Sequence, residues 1–111
     1  MEHEFKPYRI IQPFIASGEK DLEIRVADYL RSKICVSDTI LFKFPKKKPY
    51  PRKVKAIRRY GSFKEMLDNE NPERIMPGWL RERILQGLQR VYPPKEEQRG
   101  VLVFELEVTR Q

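Results

Sequence analysis

Cysteine, histidine and tryptophan each occur once in the 111 residues, as Cys35, His3 and Trp79. A lone cysteine cannot close an intramolecular disulfide and suits a reducing, cytoplasmic setting. No histidine lies near it in sequence to act as a base, so a nucleophilic thiol is not expected. Between Ile34 and Val36, Cys35 reads instead as a small apolar core residue. One histidine and one cysteine are too few for a zinc ligand set, so neither metal nor cofactor is expected, and His3 reads as an exposed N-terminal residue. No run of about 18 apolar residues exists to span a membrane. The opening Met1-Glu2-His3-Glu4 is acidic and lacks the basic and apolar regions of a signal peptide. Internal repeats, Gly-rich phosphate loops and Ser-His-Asp arrangements are also missing.

What remains is 40% apolar and 35% charged, enough to build a core and to argue against disorder. The expectation is one domain over residues 1–111 that buries roughly two-thirds of its unfolded surface. Heavy use of Glu, Lys and Arg with only two asparagines hints at a thermophilic source. The formal charge is +7, and its placement is more telling than its size. Lys43, Lys46, Lys47, Lys48, Arg52, Lys53, Lys55, Arg58 and Arg59 form a segment of nine cations without one acidic residue. The rest of the chain has fourteen basic residues against sixteen acidic ones. A basic excess confined to one segment suits a phosphate backbone, although a solvated strand face would look alike.

In chain order, residues 3–8 suggest an opening edge strand. Pro13 suits the first turn of a short helix over Ile10 to Ser17, which Gly18 ends. Leu22 to Val26 alternates as a strand, and residues 28–36 link it to a turn at Ser37-Asp38. Thr39 to Phe44 reads as the next strand. The prolines of Pro45 to Arg52 predict a hairpin tip outside the sheet, before a strand from Lys53 to Tyr60. That strand has Val54, Ala56 and Arg58 on one face and Ile57 on the other. Ser62-Phe63-Lys64-Glu65 is a capping box that points Phe63, Met66 and Leu67 inward. Asp68 to Pro77 reads as a loop or broken helix. Trp79 to Tyr92 predicts the longest helix, with Leu80, Ile84, Leu88 and Val91 inward, and Gly87 marking close packing. Gly100 to Thr109 predicts a strand at the margin of a barrel. Trp79, Phe63 and Tyr60 read as core. Short helices among largely antiparallel strands indicate a small α+β barrel.

The chain is organised around Ser17 to Arg25. In an extended strand, Glu23 and Arg25 lie ~7 Å apart on one face. Leu22, Ile24 and Val26 take the other, and Lys20 arrives from the turn.

Four stretches together resemble one family. They are Gly18-x-Lys20-x-x-Glu23-x-Arg25, Val36-Ser37-Asp38-x-Ile40-x-Phe42, Ser62-Phe63-x-Glu65-x-Leu67 and Gly100-Val101-Leu102-Val103-Phe104-Glu105. They resemble the ASCH (activating signal cointegrator homology) domain, a relative of the PUA domain, from about Phe5 to Val108. The resemblance implies an α+β fold: a small PUA-like mixed or antiparallel β-barrel with short flanking helices. It also implies a cleft lined by Lys20, Glu23 and Arg25, and a role in RNA metabolism, translation or transcription coactivation. Some members resemble amidohydrolases acting on N4-acetylcytidine, and others resemble nucleases; the deacetylating kind carries threonine where this chain has Glu23. Ser37 replaces the family's usual glycine, so its turn must be less left-handed or accept strain.

Three readings of the cleft follow. As an RNA- or nucleotide-binding module, Lys20 and Arg25 take phosphate or a base edge, and Glu23 orients Arg25 or accepts from an exocyclic amine. Lys46, Lys47, Lys48, Arg52 and Lys53 then track the backbone, with Tyr50 available to stack on a base. As a hydrolase, Glu23 is the general base and Lys20 and Arg25 stabilise an oxyanion. As plain structure, Glu23 and Arg25 are a surface ion pair beside an exposed Lys20. The expected partner is RNA or a nucleotide, the expected state a monomer without membrane contact.

Overall fold

Apolar residues on both faces of Val101–Leu106 require neighbours on both sides, and this stretch is a central strand of a five-stranded sheet. The computed structural model describes residues 1–108, so Thr109 lies outside the described part of the chain. The strands are β1 (Glu2–Phe5), β2 (Leu22–Val26), β3 (Thr39–Phe42), β4 (Tyr50–Tyr60) and β5 (Val101–Leu106). Their order is β1-β3-β4-β5-β2, with β1 parallel to β3 and the other pairs antiparallel. The sheet curls into a half-barrel whose edges are β1 and β2. Helices α1 (Gln12–Ser17), α2 (Phe63–Asn69), α3 (Pro72–Ile75), α4 (Arg81–Val91) and α5 (Pro94–Glu97) flank it. This is the α+β architecture expected, with short helices around a curled sheet that stays open between β1 and β2.

Two cores fill the two faces. Leu22, Ile24, Val26, Val101 and Val103 pack against Phe63, Met66, Leu67, Ile75 and Ile84 of the helices. Phe5, Ile15, Ile40, Phe42, Leu102 and Phe104 fill the inside of the curl. Each such side chain contributes about 1.5–3 kcal/mol on full burial. The helix starts follow their signals: Ser62 accepts from the Glu65 amide at 3.1 Å, and Asn71 caps α3 through the Glu73 amide at 3.0 Å.

Several expectations need correction. β5 lies between β4 and β2, not at a margin. A register shift between Val54 and Ala56 makes Lys55 an extra residue, so Val54 and Ile57 share the inner face instead of opposing each other. Pro51 belongs to β4, opposite Leu41. It is tolerated because β5 joins β4 only from Val54 onward, so its missing donor faces no strand. Leu80 caps α4 and is 77% exposed, while Val91 is 43% exposed; Ile84, with Leu85 and Leu88, carries the packing. A Cβ on Gly87 would meet only Trp79, at an ordinary 3.9 Å, so no close approach requires that glycine.

Cys35 is exposed. The Asp38 carboxylate accepts from the Cys35 amide at 3.0 Å and the Asp38 amide donates back to the Cys35 carbonyl at 3.0 Å. That tight turn sends Ile34 inward and Cys35 and Val36 outward. Ser37 adopts φ 77, so the turn keeps its left-handed residue and serine bears the strain. His3 is only 15% exposed and binds Asp38 Oδ2 through Nε2 at 2.8 Å, which ties β1 to the same turn.

Candidate nucleic-acid interface

Gly18 begins the site. It has φ 82, and a Cβ there would sit 2.4 Å from Val108 Cγ1, so both backbone and space demand glycine. The turn it makes lets the Lys20 amide donate to the Phe14 carbonyl at 3.1 Å and aims the Lys20 side chain inward.

The register of β2 explains what Lys20 and Glu23 do. Asp21 O and Ala27 N bond to β5, at Leu106 and Gly100, so the odd-numbered residues between them turn their backbone toward β5. The even-numbered ones, Leu22, Ile24 and Val26, present theirs to the open edge. Lys20 Nζ donates to Leu22 O at 2.6 Å and to Ile75 O at 2.9 Å. Glu23 Oε1 accepts from Ile24 N at 3.2 Å and lies 3.5 Å from Lys20 Nζ. Only 3% and 7% of the two side chains are exposed. The purely structural alternative, a surface Glu23–Arg25 pair beside an exposed Lys20, does not hold: Lys20 and Glu23 are a buried pair that satisfies a sheet edge and anchors α3.

Burial pulls the Lys20 ammonium below its usual pKa, with Glu23 opposing. Burial alone would push Glu23 up; the Lys20 and Arg25 charges and the Ile24 amide outweigh it, and its carboxyl stays below the usual range.

Arg25 lies 3.5 Å from Glu23 Oε2, and its guanidinium carbon stands 4.3 Å from the centroid of the Phe5 ring. The Arg31 guanidinium is over the same ring at 5.5 Å. Arg31 is paired with Asp28 at 3.1 Å. The Tyr92 hydroxyl feels the charges of Arg25, Glu23 and Arg31 together, while burial pushes its pKa up. Phe5, Asp28, Arg31 and Tyr92 were not foreseen. The Asp28/Arg31 spacing straight after a strand was the one available signal.

The basic segment divides. Lys43 pairs with Glu4, Lys55 with Glu105, and Arg58 with Glu70 and Glu105. Among the described residues, Lys46, Lys47, Lys48, Arg52, Lys53 and Arg59 have no carboxylate within ion-pair distance. Lys46, Lys47 and Lys48 are exposed at the β3–β4 hairpin tip, where Lys46 has φ 62. Arg52 donates to Ile15 O at 2.9 Å and closes the C-terminal end of α1. Tyr50 is half-buried: its hydroxyl accepts from Gln12 at 2.7 Å and its ring meets Phe44 edge-on at 6.0 Å. It braces the hairpin. Arg52 and Lys53 line a groove of about 210 Å³ with Ser17, Gly18 and Glu107. No ion pair among the described residues joins the hairpin to Glu23.

The chain is similar to the hypothetical protein PH0355, whose crystal structure superposes with a TM-score of 0.86 at 34% identity over 96% of this chain and 98% of that one. Protein PF0455 from Pyrococcus furiosus, a solution structure, gives 0.77 at 35% identity over 96% of each chain. The crystal structure of ASCH from Zymomonas mobilis gives 0.64 at 18% identity over 96% of this chain and 67% of that one. No family model matches the chain, and no curated protein does.

Proposed function

The chain belongs to one family with the two proteins that are a third identical to it, and its fold is that of an ASCH domain; from that premise we propose that it is an RNA-binding domain. The hairpin cations Lys46, Lys47, Lys48 and Lys53, with Arg52 at its base, track the phosphate backbone, and Arg25 meets the ligand in the cleft beside β2. The observation that carries this reading is the charge bookkeeping of the basic segment. Three of its cations are used in ion pairs; of the other six, Arg52 and Arg59 donate to backbone carbonyls, and Lys46, Lys47, Lys48 and Lys53 are left exposed to face a polyanion.

The site chemistry favours binding over turnover. An ammonium has three protons, and Lys20 gives two to the carbonyls of Leu22 and Ile75 with Glu23 facing the third. Its lone pair exists only after deprotonation, which burial favours and Glu23 opposes, and Nζ is already engaged by two backbone carbonyls. Glu23, held below the ordinary carboxylate range and with only 7% of its side chain exposed, is a weak base. Lys20 and Glu23 thus shape the wall against which Arg25 works.

The domain acts as a monomer in a cytoplasm, which suits an exposed, unpaired Cys35. Among the described residues no helix is long and apolar enough to cross a membrane. The ion-pair network around Arg58 is a device of proteins from hot environments and agrees with the composition.

Fluorescence anisotropy with a labelled single-stranded RNA, beside incubation with N4-acetylcytidine and with the same RNA, tests this. Binding without deacetylation or cleavage is expected. Turnover that is lost in Glu23→Gln would replace the reading with the hydrolase one.

A further inference from the structure

Lys20 and Glu23 are satisfied by their neighbours; Arg25 is not. A guanidinium carries five N–H donors. With 14% of its side chain exposed, Arg25 has one 3.5 Å contact to Glu23 and the face of Phe5. Arg31 approaches that same ring, held at its other edge by Asp28. Each arginine is thus held by a carboxylate and by the ring, and Arg25 also faces the Tyr92 hydroxyl, while among the described residues no further acceptor takes their other side-chain N–H groups. Tyr92 adds a hydroxyl whose burial keeps it a proton donor.

We infer that Arg25, Arg31 and Tyr92 form a subsite for one phosphodiester of the nucleic-acid ligand, at the gap between the β1 and β2 edges. The two guanidiniums take its non-bridging oxygens, for which a planar fork is the matching donor. Lys20, Arg25 and Arg31 against Glu23 and Asp28 leave one positive charge, the complement of the single negative charge on a diester. Beside Arg31, Tyr29 and Leu30 are 75% and 64% exposed, and offer an apolar surface to the attached nucleoside. This rests on the RNA-binding reading above and names its anchoring point.

Arginine Nε–H NMR tests the subsite. The probes are the dinucleoside monophosphate ApA, which has one phosphodiester, and adenosine, which has none. ApA should shift the Arg25 and Arg31 signals, and adenosine should leave them in place. Arg31→Gln should weaken ApA about tenfold, and Arg31→Lys should recover part of the loss. The turn survives in both variants, because the residue 31 backbone N–H donates to Asp28 Oδ1 at 2.8 Å. ApA binding unchanged in Arg31→Gln overturns the inference. So does a titration in which neither arginine moves while long RNA still binds, and the RNA-binding reading then stands without it. If ApA moves both arginines but no RNA binds, the subsite stands and the RNA-binding reading falls.

Discussion

Lys20 and Glu23 stand 3.5 Å apart along the open edge of β2, one filling the Leu22 carbonyl and the other the Ile24 amide. They replace a missing sixth strand at that point. Removing either member leaves a charge and backbone groups buried without partners. Glu23→Leu or Lys20→Met should therefore each cost ~3–5 kcal/mol. The double variant should cost less than the sum, because no lone charge remains. Urea denaturation of the three proteins checks this, and single variants of wild-type stability would remove the structural role.

Asp38 predicts a pH dependence. The Cys35 amide, with His3 and the N-terminal amine, lowers its pKa to about 2 from an ordinary 3.8. Because the folded value lies below the unfolded one, the contribution is complete above about pH 4 and is lost as pH falls toward 2. Thermal melts between pH 5 and 2 should show this slope in the wild type and a shallower one in Asp38→Asn.

Glu70 takes two hydrogen bonds from Arg58 and one from the Tyr60 hydroxyl, with 5% of its side chain exposed. Arg58 continues to Glu105, which Arg74 reaches at 3.3 Å while bridging to Asp21. Glu70→Ala should destabilise by ~2–3 kcal/mol, through the partners it strands. Differential scanning calorimetry should show a lower Tm, and an unchanged Tm would mean the network carries no stability.

Much of the frame was legible because its causes are local. Gly18, the Ser62 cap, the alternation of Leu22–Val26 and the apolar Val101–Leu106 run each state their structure within a few residues. The misreadings share a cause that is not local. The Lys55 bulge flips a face through pairing with β5, and Cys35 turns outward because Asp38 holds its amide. Lys20, a charged residue after a turn, gives no hint from sequence that Leu22 O and Ile75 O will bury it. The Lys20–Glu23–Arg25 group was visible as a motif. Its completion by Phe5, Arg31 and Tyr92 was not, since those residues meet only when the sheet curls and α4 packs across it.

The hairpin should act through charge count. Lys46→Gln, Lys47→Gln and Lys48→Gln combined should leave the fold intact, since all three are exposed. Each phosphate contact on a single strand contributes ~0.7 to the salt slope, so the triple variant should lower it by about two. Anisotropy titrations of both proteins across several salt concentrations measure that difference.

A binding surface for single-stranded RNA built on an excess of unpaired cations must show itself in the wild-type affinity as a function of salt. Between 50 and 200 mM monovalent salt, log K should fall linearly with log salt at a slope of roughly −3 to −4, as for five or so phosphate contacts. An affinity that does not change over that range would contradict it.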